Sequence, residues 1–189
     1  MIRSSRVQLR RLERADAELY RRWGRSAQAQ RFIYSPALDP GLLEEEFAQG
    51  LEGDKLLILT VETLRGQPVG YVSFAFMEDR SAELTILIGE PEWERLGYGV
   101  HALTLAIAFA FKELNLHRVL ARYHEDNKNI LAMARRIGGV DEGTLRKGVL
   151  SSAQPVDFHY VAFLQDEDNP QAQALSQRLL KLDLVQFEA

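Results

Sequence analysis

The stretch Glu94-Arg95-Leu96-Gly97-Tyr98-Gly99-Val100 lies between a strand-like run and a strongly apolar, helix-like run. Its two glycines, Gly97 and Gly99, let the backbone approach a ligand closely. The free N–H groups at the start of the following helix, together with the positive end of its dipole, attract a diphosphate. The stretch therefore predicts an anion-binding bend; the plainer interpretation is a glycine-containing turn before an ordinary helix.

The chain before the bend favours an antiparallel sheet. Three strand-like runs follow one another at residues 55–63, 68–77 and 82–89, with only short polar connections between them. Such connections close hairpins, because a parallel crossover needs a dozen or more residues. Still earlier, the pattern predicts a strand at 6–12, a helix capped by Asp16, a loop over 26–40 and a helix that begins at Pro40.

The chain after the bend alternates between helices and strands. A helix over 98–114 is apolar around most of its circumference, which predicts burial against a sheet. The pattern then predicts a strand at 118–124, a helix at 127–137, two strands at 140–148 and 156–164, and a terminal helix beyond the break at 166–170.

Composition restricts the class of protein. The 189 residues are 46% hydrophobic and 26% charged, which suits one globular domain with a small appendage. There is no cysteine, which excludes thiolate nucleophiles, thiolate zinc sites and iron–sulfur clusters; no metal site is predicted. The net charge of −4 disfavours nucleic acid as the main partner. The longest apolar run, 103–111, is too short to span a membrane, so we expect a cytoplasmic protein.

A dinucleotide-binding fold is an alternative interpretation of the glycine bend. Residues 97–102 satisfy the fingerprint G-x-G-x-x-G/A. In that fold the first glycine directly follows a parallel strand. Here seven residues separate Gly89 from Gly97, and the preceding strands are antiparallel, so the context disfavours this interpretation.

The order of elements and several short motifs resemble one known family. The motifs are Pro68-Val69-Gly70-Tyr71, Ala82-Glu83-Leu84, Ile88-Gly89-Glu90-Pro91, Gly97-Tyr98-Gly99, Asp126-Asn127, Ile137-Gly138, Glu142-Gly143-Thr144-Leu145-Arg146 and Val156-Asp157-Phe158-His159-Tyr160. Over about residues 7–167 the chain resembles the GCN5-related N-acetyltransferases (GNAT), and more narrowly the branch of ribosomal-protein N-terminal acetyltransferases.

This resemblance implies an α+β fold with a mixed, mostly antiparallel sheet of about seven strands, flanked by helices, and a parallel pair of strands beside the cofactor. It implies an N-acetyltransferase domain over residues 1–167, which leaves the terminal helix predicted from the residue pattern as an extension over 168–189. It also implies a homodimer, with the terminal helix as a candidate interface. The expected partners are acetyl-CoA and an amine acceptor, with neither nucleic acid nor membrane.

The resemblance also assigns cofactor contacts. The acyl donor would be acetyl-CoA, and the strand backbone would pair with its pantetheine arm as an added strand. Asn127 would hydrogen-bond the cofactor near the thioester, although the same residue suits a helix N-cap. The residues expected to contact the cofactor are Ile86, Leu87, Ile88, Arg95, Leu96, Gly97, Tyr98, Gly99, Val100 and Asn127.

The chain departs from the family pattern at several positions. Glu94 stands where the family has Arg or Gln, and a carboxylate there repels a diphosphate unless it points away. Arg95 is the candidate to reach the phosphates instead. Ala134 stands where many members have a tyrosine that protonates the departing thiolate, and Ile130 and Gly139 replace other residues typical of the helix. Hydroxyl groups that could substitute for the tyrosine belong to Ser151, Ser152 and Tyr160.

Acyl transfer needs a neutral amine. Glu83 is the first candidate for the general base and His124 the second, with an outward-facing strand carboxylate and a capping histidine as the plainer interpretations. At pH 7 an α-amine of pKa about 7.8 is roughly 10% neutral, against about 0.04% for a lysine amine. The weak base signals therefore favour an α-amine.

The preferred acceptor is thus a protein or peptide N terminus. Trp93, Phe32 and Tyr34 are candidates to line the acceptor pocket. Two alternatives stay open: an acceptor that is a small polyamine, amino acid or antibiotic, and a non-catalytic acyl-CoA-binding module.

Overall fold

The computed structural model describes residues 2–32, 40–151 and 154–166, and within these ranges one mixed sheet of eight strands is formed. Its spatial order is β1-β2-β3-β4-β5-β6-β8-β7. The strands are β1 (Ile2–Arg3), β2 (Val7–Arg11), β3 (Leu56–Thr63), β4 (Pro68–Met77), β5 (Ser81–Ile88), β6 (Arg118–His124), β7 (Val140–Ser151) and β8 (Gln154–Leu164). The helices are α1 (Ala17–Gly24), α2 (Ala27–Phe32), α3 (Pro40–Glu52), α4 (Tyr98–Lys112) and α5 (Lys128–Arg136), with 3-10 turns at Arg14–Asp16 and Pro91–Trp93.

The predicted α+β architecture is confirmed, with small corrections. The sheet has one strand more than the expected seven, because the two residues of β1 pair with β2 and are too few to show any alternation. The loop predicted over 26–40 is wrong in part, since it contains α2. The predicted terminal helix and the extension over 168–189 lie outside the described residues.

Two helical layers cover the two faces of the sheet. One face carries the larger core, in which α4 and α5 pack on alternate residues of the strands, among them Leu84, Val119 and Val161. The other face packs against α1, α2 and α3 through a smaller aromatic cluster that includes Tyr20, Trp23 and Tyr71. Because both faces of the central β3 are covered, all eight of its residues are buried.

The sheet opens between β5 and β6. These neighbours are the parallel pair that the sequence predicted, but their pairing is short: it begins at Ser81 opposite Arg118 and ends at Glu83 opposite Leu120. β5 stays paired with β4 as far as Ile88, and β6 stays paired with β8 as far as His124. Beyond Glu83 and Leu120 the two strands therefore leave a cleft whose edges present unpaired backbone groups.

Asp16 does not cap α1 with its side chain as predicted. Its carboxylate turns towards the sheet instead and accepts hydrogen bonds from Arg10 at 2.7 and 2.8 Å and from Thr60 at 3.1 Å. Arg10 also donates to Glu62 at 2.6 Å. Burial raises the pKa of Asp16, but the hydrogen bonds and the charge of Arg10 outweigh it and lower the pKa below 3.8.

None of the described helices is long and apolar enough to cross a membrane.

Candidate active site

The glycine bend forms the start of α4. Gly97 is the N-cap residue, with φ of 89°, and the helix has no side-chain cap there. Arg95 also adopts a left-handed backbone, with φ of 58°, at a position where a β-carbon makes this conformation costly. The first N–H groups of a helix have no partner within it. The bend thus offers uncapped amides and a positive dipole end to an anion, as the sequence predicted.

Gly99 brings the bend close to its neighbours. A β-carbon on this residue would lie 3.4 Å from Sδ of Met133 on α5 and 3.8 Å from Cγ1 of Ile88 on β5. These are ordinary van der Waals distances, so α4 begins packed beside both elements and a methyl group would also fit at this position. As a consequence, the bend stands directly beside the end of β5, where the cleft opens.

Glu94 turns away from the bend towards α2. With its amide oriented by the hydrogen-bonding network, Gln28 donates to Oε1 of Glu94 at 2.9 Å and to the carbonyl oxygen of Ile88 at 3.2 Å. The carboxylate therefore has a protein partner on the side of the first helices. A carboxylate at this position repels a diphosphate unless it points away from it, and the carboxylate of Glu94 does point away.

Arg6, from the turn between β1 and β2, reaches the bend from a distant part of the sequence. Its guanidinium donates to the carbonyl oxygen of Leu96 and lies over the Tyr98 ring, 5.5 Å from the centroid. Beside it, Ser4 Oγ lies 3.3 Å from Nδ1 of the buried His101 on the first turn of α4. Burial and the nearby Arg6 charge lower the pKa of His101. Nothing local in the sequence marks a single arginine in a turn, so this contact of Arg6 with the bend could not be predicted.

A cavity of about 50 Å³ occupies the cleft between β5 and β6. It reaches both sides of the sheet: Leu84, Ile86 and Leu103 line it on the α4 side, and Phe32 and Phe158 line it on the α2 side. Two substrates that enter from opposite faces could therefore meet in it. Of the three aromatic residues proposed for the acceptor pocket, Phe32 lines the cavity, Trp93 does not, and Tyr34 lies outside the described residues.

The helix α5 contributes Asn127 and Ala134 to the cavity wall. Asn127 occupies the N-cap position of α5 as predicted, but its side chain makes no cap hydrogen bond. The amide is therefore available to a ligand. Ala134 is 1% exposed and presents only a methyl group, so the position at which the family resemblance implied a tyrosine supplies no proton donor here.

Glu83 lies at the point where β5 and β6 separate. Its carboxylate lines the cavity and accepts a hydrogen bond of 2.6 Å from Nε of Arg122, another lining residue. The side chains are 24% and 30% exposed. Glu83 therefore lines the cavity, and its role as the base stays a prediction; nothing in the sequence indicated the arginine that faces it from the next strand.

His124, the second candidate base, stands beside the cavity. Its Nδ1 accepts the backbone N–H of Asp126 at 3.1 Å, which leaves Nε2 to carry the proton of the neutral ring. The ring packs edge-on against Phe32 and Phe158, with centroids 6.2 and 5.9 Å away. The imidazole is therefore held by its neighbours, and in this tautomer it presents Nε2–H as a hydrogen-bond donor and not as a free lone pair that could accept a proton.

The remaining candidates are dispersed. Leu87 is buried in the smaller core on the α2 side, so only its backbone could meet a cofactor. Tyr160 lies on β8 opposite Arg122 and does not line the cavity. The side chain of Ser151 and all of Ser152 lie outside the described part of the chain. Arg95 and Leu96 have exposed side chains, whereas Tyr98 and Val100 are half-buried.

The fold, the uncapped bend and the cleft define the acyl-CoA N-acyltransferase class. Among solved structures, a spermidine N-acetyltransferase from Vibrio cholerae in complex with CoA and spermine is similar, with a TM-score of 0.77 and 23% identity over 85% of this chain and 96% of that one. A GNAT acetyltransferase from Bacillus anthracis matches with a TM-score of 0.73 and 22% identity over 88% and 99%. At these identities the likeness establishes the fold.

The sequence comparison identifies the family. Residues 6–140 match the acetyltransferase (GNAT) domain, and the chain belongs to this family. A curated relative, an uncharacterized N-acetyltransferase of Bacillus subtilis named YnaD, is 30% identical over 79 residues. The match covers 42% of this chain and 46% of that protein, so it spans less than half of the relative's length. The predicted class, an acetyl-CoA-dependent N-acetyltransferase, is confirmed, and acetyl-CoA is the acyl donor of this class.

Proposed function

We propose that this protein transfers the acetyl group of acetyl-CoA to an α-amine, with a protein or peptide N terminus as the preferred acceptor. The observation on which this rests is the cleft between β5 and β6, which holds a cavity lined by residues from both faces of the sheet and runs along the end of β5, beside the bend. The narrower resemblance to ribosomal-protein N-terminal acetyltransferases stays part of this proposal.

The cofactor occupies the α4 side of the cleft. Its diphosphate binds the free amides of residues 97–100 at the start of α4, where the helix dipole is positive. Its pantetheine arm runs along residues 84–88 of β5, which have no strand partner on the side of β6. Asn127 then faces the thioester end from the cavity wall.

The reaction is a direct transfer within a ternary complex. The nitrogen of the neutral amine attacks the thioester carbonyl carbon, the carbon–sulfur bond breaks, and CoA leaves as a thiolate. The proton lost by the nitrogen passes to a base or to water. Ala134 supplies no acid for the thiolate, but a thiol with a pKa near 8.5 leaves tolerably without one.

The state of the two candidate bases supports an α-amine. The carboxylate of Glu83 is engaged by Arg122, and Nδ1 of His124 is engaged by the Asp126 amide. Because both candidate bases are already hydrogen-bonded, the site suits an acceptor amine that is partly neutral in solution and does not need to be deprotonated before it attacks. An α-amine of pKa about 7.8 is neutral several hundredfold more often at pH 7 than an alkylamine of pKa about 10.4.

A polyamine is the second candidate acceptor. It is favoured by the similar Vibrio cholerae structure, which was solved with spermine, and by the net charge of −4 on this chain, which attracts cations. A non-catalytic acyl-CoA-binding module is the third hypothesis. It is motivated by Ala134, which supplies no proton donor, and by the acidic Glu94 in the bend.

A panel of acceptors separates these functions. Acetyl-CoA binding is measured by isothermal titration. CoA release is measured with four acceptors: a lysine-containing peptide with a free N terminus, the same peptide with an acetylated N terminus, spermidine and a free amino acid. We expect turnover on the free peptide and a drop of at least tenfold in kcat/KM on the blocked one. Faster turnover of spermidine would replace the peptide as acceptor, and binding without turnover on any amine would establish the module.

A further inference from the structure

The turn between β1 and β2 is attached to the start of α4. Ser4 organises this turn, because its hydroxyl accepts the backbone N–H groups of Arg6 at 3.3 Å and Val7 at 3.1 Å. The same hydroxyl lies 3.3 Å from the ring of His101 on the first turn of α4. The N-terminal hairpin thus presents one face to the bend, and Arg6 is the side chain at the contact.

Arg6 lies within reach of the groups that would hold a diphosphate. Its Nη1 is 3.2 Å from the position that a β-carbon on Gly97 would occupy, and it donates to the carbonyl of the preceding residue, Leu96. Its plane also stands over the ring of Tyr98. These contacts hold the guanidinium beside residues 96–98, where the uncapped amides of α4 begin. The side chain is exposed and retains further N–H donors.

One positive charge at the bend comes from a residue outside it. Glu94, within the bend, brings a carboxylate and is turned towards Gln28. Arg95 is the one basic residue of the 94–100 stretch, and its side chain is exposed. The guanidinium of Arg6 is the cation that the described contacts anchor directly to the bend.

We propose that Arg6 is a cofactor-binding residue that donates to the phosphates of acetyl-CoA from the β1–β2 turn while its contact with Leu96 holds the bend in shape. The inference rests on the proposed function, because it presupposes that CoA binds at the bend. A planar guanidinium suits both tasks, since it can donate to a carbonyl and a phosphate oxygen at the same time.

The test compares Arg6→Gln and Arg6→Lys with the wild type. We expect Arg6→Gln to weaken CoA binding in isothermal titration by about tenfold, as loss of a charge-assisted hydrogen bond does, and to flatten its dependence on salt. Arg6→Lys should retain part of the affinity and most of the salt dependence. With S-acetylpantetheine, a donor without phosphates, Arg6→Gln should react as fast as the wild type.

Arg11→Gln is the matched control. Arg11 is an exposed arginine at the far end of β2, the strand that follows the turn, and its loss should leave CoA affinity unchanged. Three outcomes would each overturn the inference. The Gln and Lys variants could lose affinity and salt dependence equally, or Arg6→Gln could keep the wild-type affinity. The third is that Arg6→Gln loses as much rate with S-acetylpantetheine as it does with acetyl-CoA. Failure of the wild type to bind CoA would instead overturn the proposed function.

Discussion

Glu83, the first candidate for the general base, also has a structural partner. It is the last residue of β5 to pair with β6, and its carboxylate faces the cavity while it accepts a hydrogen bond from Arg122. The ion pair between Glu83 and Arg122 orients the carboxylate, and it also helps to hold β5 and β6 together at the place where their pairing ends. Its catalytic part and its structural part can be told apart by measurement.

We expect Glu83→Gln to lower kcat by at least about 100-fold, because a positioned general base contributes this much or more to proton transfer. The Kd of acetyl-CoA should stay within about twofold of the wild type, since the amide keeps the size of the side chain and the cofactor binds by the bend. Steady-state kinetics and isothermal titration on the same preparation measure both quantities.

Glu142→Gln is the control for loss of an ion pair on this sheet. Glu142 on β7 pairs with Arg118 on β6, away from the cavity. If both variants kept the wild-type kcat, Glu83 would be a positioning residue for Arg122 and not the base. Proton transfer to water would then take its place, since Nδ1 of His124 is engaged by the backbone N–H of Asp126 and Nε2 carries the ring proton.

At the scale of elements, a buried ionic network joins β2, β3 and the 3-10 turn before α1. Arg10 bridges Asp16 and Glu62 at 2.7 and 2.6 Å, and their side chains are 17%, 5% and 8% exposed. The buried carboxylates lose their counter-charge if Arg10 is removed. The network therefore fixes how the first helix enters the fold on the α2 side of the sheet.

We expect Arg10→Met to lower the free energy of unfolding by about 3 kcal/mol, because breaking a buried ion pair from one side leaves an uncompensated charge. Chemical denaturation at pH 7 measures this loss. Arg21→Met serves as the control, since Arg21 pairs with Glu18 and Glu44 on the exposed surface and should have little effect. Equal effects of the two substitutions would contradict a structural role for the network.

The elements differ in how far their sequence revealed them. β4 and β6 have the predicted bounds, and α4 begins at the predicted residue, because a clear apolar pattern and turn residues mark each of them. The six residues of α2 carry a single buried side chain, Ala29. So short a helix has no apolar stripe, and its stability comes from packing beside the cleft.

At the scale of the whole molecule, the cleft divides the sheet into two parts. β1 to β5 lie on one side and β6, β8 and β7 on the other, and they share only the short pairing between residues 81–83 and 118–120. A CoA molecule laid along residues 84–88 would complete the hydrogen bonding of β5 at this opening. Binding should therefore stabilise the molecule where its sheet is weakest.

Hydrogen exchange followed by mass spectrometry measures this effect. We expect saturating CoA to slow exchange at residues 84–88 and at the start of α4, residues 97–101, with little change in the fully covered β3. Thermal unfolding should shift upwards at the same time, since a ligand of the native state stabilises it. An upward shift without protection at 84–88 would mean that CoA binds elsewhere.

The sequence by itself determined the class of fold and the position of the bend, and the cofactor-binding residues that it predicted stay a proposal. Periodicity, short connections and paired glycines are local signals, which is why Gly97, Gly99 and Asn127 were identified at their structural positions. Only the tertiary structure decided that Arg6 meets the bend across 90 residues, that Arg122 faces Glu83, and that Glu94 turns towards Gln28. These contacts depend on strand register and on the packing of distant elements, and a pairwise contact between remote residues leaves no periodic trace in one sequence.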